Sequence, residues 1–134
     1  MKKLNVILVF NQANDKVLMC KREKEPYKGK LNLVGGKIEP GETDMQAAYR
    51  ELQEETGIKN SDINLKHLMN LEYVIEDIKL EVFAGRLNKE VKLIREKNPL
   101  LWVDKNDKFF DEEKYAGEGN LWHIIKRYET YNFQ

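Results

Sequence analysis

Three glutamates lie close together in one short segment of the chain. Glu51, Glu54 and Glu55 are spaced i, i+3 and i+4, which brings side chains to one patch on a helix. Carboxylates placed in this way repel one another, at a cost of about 0.2–0.5 kcal/mol for a like-charge i, i+4 pair. Hard divalent cations such as Mg²⁺ prefer oxygen ligands and bridge carboxylates to phosphate groups. The spacing therefore indicates a metal site for phosphate chemistry; the alternative is a solvated helix face.

Residues upstream of the glutamates fit the same chemistry. Gly35 and Gly36 allow tight backbone turns that bring main-chain groups against a metal ion or its ligand. Glu42 stands beside the predicted helix start. Arg50 is adjacent to Glu51, where its guanidinium can orient a carboxylate or meet phosphate charge. Taken alone, the arginine would be an ordinary partner in a helical ion pair, and the glycines would be ordinary turn residues.

The element that must carry the glutamates has clear start and stop signals. The spacing predicts a helix over Thr43–Thr56, with Thr43 as the N-cap and Gln46 as its capping-box partner. Gly57 stands where a glycine ends many helices. Apolar residues at helical spacing predict a buried stripe of Met45, Ala48, Tyr49 and Leu52. The three glutamates fall outside this stripe.

The remaining pattern predicts strands on both sides of this helix. Apolar runs bounded by turn residues predict strands at Leu4–Phe10, Val17–Cys20, Leu31–Val34, Ile63–Glu76, Ile78–Leu87 and Leu100–Val103. A closing helix is indicated by the spacing of Leu121, Ile124, Ile125 and Tyr128. The order predicts one α/β domain over residues 1–134, with a mixed sheet between helices.

Composition limits the classes of protein and partner. The 134 residues are 41% hydrophobic and 34% charged, and 23 basic residues balance 23 acidic ones. We therefore expect no nucleic-acid polymer as a partner. The longest apolar runs fall far short of the roughly 18 residues of a membrane span, so we expect no membrane partner. One cysteine, Cys20, cannot form an internal disulfide, which favours a cytoplasmic location.

The glycines, glutamates and arginine together match a known pattern. Gly36, Glu42 and the run Arg50–Ile58 (RELQEETGI) fill each fixed position of a Nudix box, and the chain resembles the Nudix hydrolase family. Such a match should arise by chance on the order of once in ten million chains of this length. The likeness extends over most of the chain, and it points to the small MutT-type nucleoside triphosphate pyrophosphohydrolases. It implies a Nudix-like α/β/α sandwich.

The resemblance also implies roles for individual residues. It implies Mg²⁺, with Mn²⁺ as an alternative, as the cofactor. Arg50 would orient Glu51, Glu42 and Gly36 would support the site, and Glu51 or Glu54 would activate the attacking water. The implied metal ligands are the backbone carbonyl of Gly35 and the side chains of Glu51, Glu54, Glu55 and Glu96.

Three further residues resemble substrate contacts in this family. Arg22 and Lys37 occupy positions that would meet substrate phosphates, against the alternative of ordinary surface charges. Asn120 resembles an asparagine that reads a purine-like base, although it is also a good helix N-cap.

The expected substrate is a nucleoside triphosphate, with an oxidised purine deoxynucleotide as the leading candidate. Alternatives are a nucleotide sugar, a dinucleoside polyphosphate, or a non-catalytic module that senses a nucleotide. The retained glutamates favour catalysis, and we expect a monomer or a homodimer.

Overall fold

The computed structural model describes residues 1–132 and places them in one mixed sheet with a helix on each face. The strands are β1 (Lys2–Phe10), β2 (Lys16–Lys21), β3 (Leu31–Asn32), β4 (Val34–Lys37), β5 (Lys66–Tyr73), β6 (Ile78–Arg86) and β7 (Leu100–Asp104). The helices are α1 (Asp44–Thr56) and α2 (Asn120–Asn132), and a 3₁₀ turn spans Asn60–Asp62. The predicted α/β/α architecture is confirmed.

Strand β1 is the centre of the sheet. It pairs in parallel with β6 along its length, and on its other side it pairs antiparallel with β4, where Asn5 lies opposite Gly36. Its last residue, Phe10, lies opposite Val17 of β2. Strand β2 also pairs with β3 and β7, and β6 pairs with β5. Because β1 touches three neighbours, its residues connect the glycine strand β4 to the rest of the sheet.

Two apolar cores cover the two faces of the sheet. On one face, Ile7, Val9 and Phe83 pack with Ala48 and Leu52 of α1. On the opposite face, a second core packs against α2 and contains Leu8, Phe10, Met19, Val82, Leu121, Ile124 and Ile125. Residues 7–10 of β1 and 17–20 of β2 are buried on both faces of the sheet, so each reads as a continuous apolar run in the sequence. Neither helix in residues 1–132 has the length and hydropathy needed to cross a membrane.

Helix α1 begins and ends as its sequence predicts. The Thr43 side chain accepts a hydrogen bond from the Gln46 amide at 3.1 Å, and the Gln46 side chain accepts one from the Thr43 amide at 2.8 Å. Gly57 ends the helix in the left-handed conformation, with φ 80°. Met45, Ala48, Tyr49 and Leu52 all pack toward the core, as predicted. The helix that carries the three glutamates is therefore fixed at both ends.

The segment around the double glycine differs from its prediction. The single strand predicted at Leu31–Val34 is two strands, and Gly35 and Gly36 lie inside β4 instead of in a turn. Pairing of β4 with β1 holds these glycines extended, which the local sequence could not indicate because glycine is uncommon in strand interiors. The strand predicted at Ile63–Glu76 is also shorter: it begins at Lys66, a few residues after the 3₁₀ turn, and a turn over residues 74–77 ends it.

The capping box gives a direct test of what fixes α1. Thr43→Ala removes the acceptor for the Gln46 amide, so we expect the free energy of unfolding to fall by about 1 kcal/mol. Urea denaturation measures the change. Gln53→Ala, at an exposed position in the middle of the same helix, is the matched control and should change stability little. Equal effects of the two substitutions would contradict the role of the cap.

Candidate active site

The carboxylate of Glu51 lies directly against the backbone of Gly36. A Cβ added at Gly36 would lie 2.5 Å from Glu51 Oε2, closer than real Cβ contacts allow. A Cβ at Gly35 would instead collide with the carbonyl oxygen of Asn5 on the neighbouring strand β1. The two glycines are therefore required for different reasons: Gly36 makes room for a carboxylate, and Gly35 makes room for a strand.

Arg50 joins the acidic residues around this contact. Its guanidinium lies 2.6 Å from Glu42 Oε1, 2.9 Å from Glu51 Oε1 and 3.1 Å from Glu54 Oε2. It also donates to the backbone carbonyl of Lys37 at 2.9 Å. These bonds hold the pKa of Glu42 at about 2 and raise the pKa of Arg50. One cation thus links the loop before α1, the end of β4 and two glutamates of the helix.

Glu55 occupies a more enclosed position than Glu54. Its carboxylate accepts a hydrogen bond from the Gly35 amide at 3.3 Å, whereas the side chain of Glu54 is 53% exposed. Burial raises the pKa of Glu55 from its usual 4.5 to about 7; the bond from Gly35 opposes this shift, and the charge of Glu51 adds to it. Glu55 therefore carries an ionisation cost that a nearby cation would reduce.

The loop that carries Glu96 is attached to the end of α1. The Ile94 amide donates to the Thr56 carbonyl at 2.8 Å, and the Ile94 side chain packs over Gly57. This attachment brings Glu96 close enough for its charge to raise the pKa of Glu55. A cavity of about 30 Å³ next to Glu55 is lined by Cys20, Glu55, Lys97, Asn98 and Leu100.

The donor set fits a hard divalent cation, although it is not gathered into a finished coordination sphere. Within residues 1–132, no three acidic, histidine or cysteine side chains converge tightly enough to form one. The reason is visible in the contacts: Glu51 and Glu54 face Arg50, and Glu55 faces the Gly35 amide. The donors are all oxygens, Glu51 and Glu54 already share the guanidinium of Arg50, and Glu55 is destabilised when charged, which are properties suited to a hard divalent cation.

The residues predicted to bind substrate lie at three other places. Arg22 donates from Nε to the Pro26 carbonyl at 2.6 Å, within the loop after β2. Lys37 ends β4 with an exposed side chain, and its carbonyl is the one bound by Arg50. Asn120 is the first residue of α2, and its Nδ2 donates to the Tyr73 hydroxyl at 2.6 Å. Arg50 thus gathers Glu42, Glu51 and Glu54. Of the residues predicted to bind substrate, Lys37 contacts Arg50 through its backbone carbonyl, whereas the side chains of Arg22 and Asn120 bond elsewhere.

Two residues at the site were not predicted from the sequence. Asn5 accepts a hydrogen bond from the Gly36 amide through Oδ1, at 2.9 Å. Lys97 lines the cavity beside Glu55, and its charge lowers the pKa of that carboxyl. An asparagine inside the apolar run of β1 was a usable signal for the first. Lys97 could not be predicted in the same way, because the path of the loop that carries it depends on the contact of Ile94 with the end of α1.

Comparisons with known proteins agree with this geometry. The model of the NUDIX domain matches residues 1–107. An ADP-ribose pyrophosphatase of Methanocaldococcus jannaschii is 30% identical, over 83% of this chain and 69% of that protein. An 8-oxo-dGTP diphosphatase of Escherichia coli is 37% identical over 54% of this chain and 58% of that enzyme. An Ap4A hydrolase of Caenorhabditis elegans superposes with a TM-score of 0.78 at 17% identity, covering 97% of this chain and 98% of that one.

The superposition places the protein among α/β/α sandwiches of the Nudix type. The domain match and the archaeal relative carry the assignment from fold to family, and the chain belongs to the Nudix family. The predicted enzyme class, a pyrophosphohydrolase, is confirmed at this level. Divalent metal ions are a general requirement of the family.

The two neighbouring glycines should respond differently to the same substitution. Gly36→Ala forces aside only the flexible end of Glu51, so we expect near-normal stability with turnover reduced by up to about 10²-fold. Gly35→Ala collides with backbone, so we expect a loss of about 1–3 kcal/mol in unfolding free energy. Thermal unfolding and a pyrophosphate-release assay separate the two effects. Normal turnover of a folded Gly36→Ala protein would contradict the described contact.

The raised pKa of Glu55 predicts a pH-dependent stability of the metal-free protein. Between pH 4.5 and about 7 the folded state binds more protons at Glu55 than the unfolded state, so this stabilisation is complete below pH 4.5 and is lost as the pH rises through 7. Urea unfolding with chelator present should show this decline in the wild-type protein, and Glu55→Gln should remove it. Parallel pH profiles for the two proteins would show that Glu55 ionises normally.

Proposed function

We propose that this chain hydrolyses the diphosphate linkage of a nucleoside triphosphate, or of a related nucleoside diphosphate derivative, in a reaction that depends on Mg²⁺ or Mn²⁺. The observation that carries the proposal is the acidic patch of α1. There one guanidinium holds Glu51 and Glu54, and Glu51 rests on the backbone of Gly36. Carboxylates clustered beside a glycine strand can bind a divalent cation and, through it, a polyphosphate, whereas their mutual repulsion contributes nothing to the stability of the fold.

The proposed roles are those that the resemblance to the family implies, and the contacts of the side chains support them. Glu51, Glu54 and Glu55, with the Gly35 carbonyl and Glu96, would hold the metal. When bound there, a divalent ion supplies charge neutralisation for the diphosphate oxygens and acidifies the attacking water. Glu51 or Glu54 would accept the proton from that water, and Arg50 would hold both carboxylates in place. Glu42 would support Arg50 by accepting two hydrogen bonds from its guanidinium, at 2.6 and 3.0 Å.

Substrate recognition is proposed at two places. Arg22 and Lys37 would bind phosphate oxygens: Lys37 is an exposed cation at the end of the glycine strand β4, and Arg22 lies in the loop between β2 and β3. Asn120 would read a base, supported by its bond to Tyr73, which presents an aromatic ring beside a polar amide. Tyr27 lies near them, with its hydroxyl 3.3 Å from Glu118. Half-buried aromatic rings with adjacent hydrogen-bonding groups suit a planar heterocycle.

The relatives separate two substrate hypotheses. The bacterial relative, an 8-oxo-dGTP diphosphatase, favours an oxidised purine deoxynucleotide, which would be cleaved to the monophosphate and pyrophosphate. The archaeal relative, an ADP-ribose pyrophosphatase, is matched over more of this chain and favours a nucleoside diphosphate joined to a sugar. We place the oxidised purine triphosphate first because Asn120 provides an amide that can pair with a purine edge.

A hydrolysis assay tests the proposal and chooses between the two hypotheses. Phosphate and pyrophosphate release would be measured with Mg²⁺ and with chelator, over plain and oxidised nucleoside triphosphates, ADP-ribose and dinucleoside polyphosphates. We expect metal-dependent release of pyrophosphate, with the highest kcat/KM for an oxidised purine nucleoside triphosphate. Preference for ADP-ribose would move the assignment to the second hypothesis. Absence of release from folded protein with every substrate would overturn both.

Glu54→Gln should reduce kcat by about 10²-fold or more, because the amide can neither accept a proton nor carry charge. The side chain is largely exposed, so the unfolding free energy should change little. Exposed Glu112→Gln is the matched control, with the same chemical change away from α1. A folded Glu54→Gln protein with wild-type kcat would exclude Glu54 from the reaction.

A further inference from the structure

Asn5 is a buried polar residue at the centre of the sheet. Its side chain is 2% exposed, and it interrupts the apolar run of β1. Within the sheet, Asn5 lies opposite Gly36 of β4 on one side and beside Glu81 of β6 on the other. The face from which it projects is the α1 face, because it alternates in register with Ile7 and Val9 of that core.

The side-chain oxygen of Asn5 binds strand β4, the strand against which Glu51 packs. Asn5 Oδ1 accepts from the Gly36 amide at 2.9 Å, and Gly36 is the residue that leaves space for the Glu51 carboxylate. The backbone of Asn5 also contacts this strand, because its carbonyl oxygen occupies the space where a side chain at Gly35 would lie. Gly36 thus lies between Asn5 and Glu51 in the structure and contacts both of them.

The donor of the same amide is used differently. Among residues 1–132, Asn5 Nδ2 is the buried side-chain polar atom that has no hydrogen-bond partner. The carboxylate of Glu81 beside it is directed elsewhere, to His67 Nε2 at 2.9 Å and to Lys79 Nζ at 3.7 Å. A buried donor without a partner lowers stability. An apolar residue of the same size would avoid this cost, but it could not accept the hydrogen bond from the Gly36 amide. The contribution of Asn5 to the site therefore lies in its side-chain oxygen.

We infer that Asn5 is a positioning residue, which fixes Gly36 through its side-chain oxygen and thereby sets the place of the Glu51 carboxylate. The inference rests on the proposed function, since it assigns Glu51 a role in hydrolysis. Asn5 itself touches neither substrate nor reacting atoms. Its effect should appear in kcat, because a displaced carboxylate weakens stabilisation of the transition state more than binding of the substrate.

Asn5→Leu separates positioning from stability. Leucine has nearly the shape of asparagine, and it removes the unpartnered donor together with the acceptor for the Gly36 amide, so the two effects on stability oppose each other. We expect faster hydrogen exchange at the Gly36 amide, with kcat reduced by about 10- to 100-fold and KM little changed. Asn5→Ala is the second variant, because its smaller side chain avoids any overpacking of leucine.

Asp62→Ala is the control for destabilisation alone. Asp62 is also buried, and its carboxylate accepts from the Lys59 amide at 2.8 Å at the 3₁₀ turn after α1. This variant should lose stability and keep the Gly36 exchange rate and kcat of the wild type. A merely structural Asn5 would behave in the same way as Asp62, so unchanged Gly36 exchange or unchanged kcat in a folded Asn5 variant overturns the inference.

The same variants remain informative if the proposed hydrolysis fails. Wild-type protein without turnover on any substrate contradicts the proposed function alone. In that case the Mn²⁺ dissociation constant replaces kcat, and a weakening of about 10- to 100-fold in Asn5→Leu supports the positioning role. Either an unchanged Mn²⁺ dissociation constant or unchanged Gly36 exchange in folded Asn5→Leu protein overturns it.

Discussion

Repulsion among carboxylates on one face of α1 is the constraint on which the rest of the site depends. Glu51, Glu54 and the nearby Glu42 are held together by the guanidinium of Arg50, at distances from 2.6 to 3.1 Å. Arginine suits this task because its planar fork donates several hydrogen bonds at once and stays charged. Without it, three carboxylates of like charge would separate into solvent. The acidic patch is therefore ordered by Arg50 as well as by the spacing of the glutamates on the helix.

The fold supplies the second half of the site, a backbone surface for the carboxylates to rest on. Strand β4 is held by β1, and its glycines bring main-chain atoms within contact of Glu51 and Glu55. Glu55 pairs with a backbone amide instead of a cation, and burial keeps its pKa high. The patch thus combines two arginine-bound carboxylates, of which Glu54 is exposed and Glu51 is largely buried, with the enclosed carboxyl of Glu55. That asymmetry allows residues of the same type to serve different roles.

Local signals account for what the sequence predicted well. The capping box at Thr43 and the left-handed Gly57 act within a few residues, so the limits of α1 could be predicted from spacing alone. Pairing between distant segments accounts for what it missed. The extended conformation of Gly36 comes from β1, some thirty positions earlier in the chain, and so does its bond to Asn5. Asn120 shows a third case: its helix was predicted, but its bond to Tyr73 depends on a strand whose place no local pattern determines.

A crystal structure with Mn²⁺, with the ion located by anomalous scattering, tests the central claim most directly. We expect a peak bounded by carboxylate oxygens of α1, at about 2.0–2.2 Å, the range for oxygen ligands of small divalent cations. We also expect Glu51 or Glu54 to turn from Arg50 toward the ion. Saturating Mn²⁺ that leaves no peak at this patch, with the Arg50 contacts to both glutamates intact, would contradict the assignment of the acidic helix as a metal site.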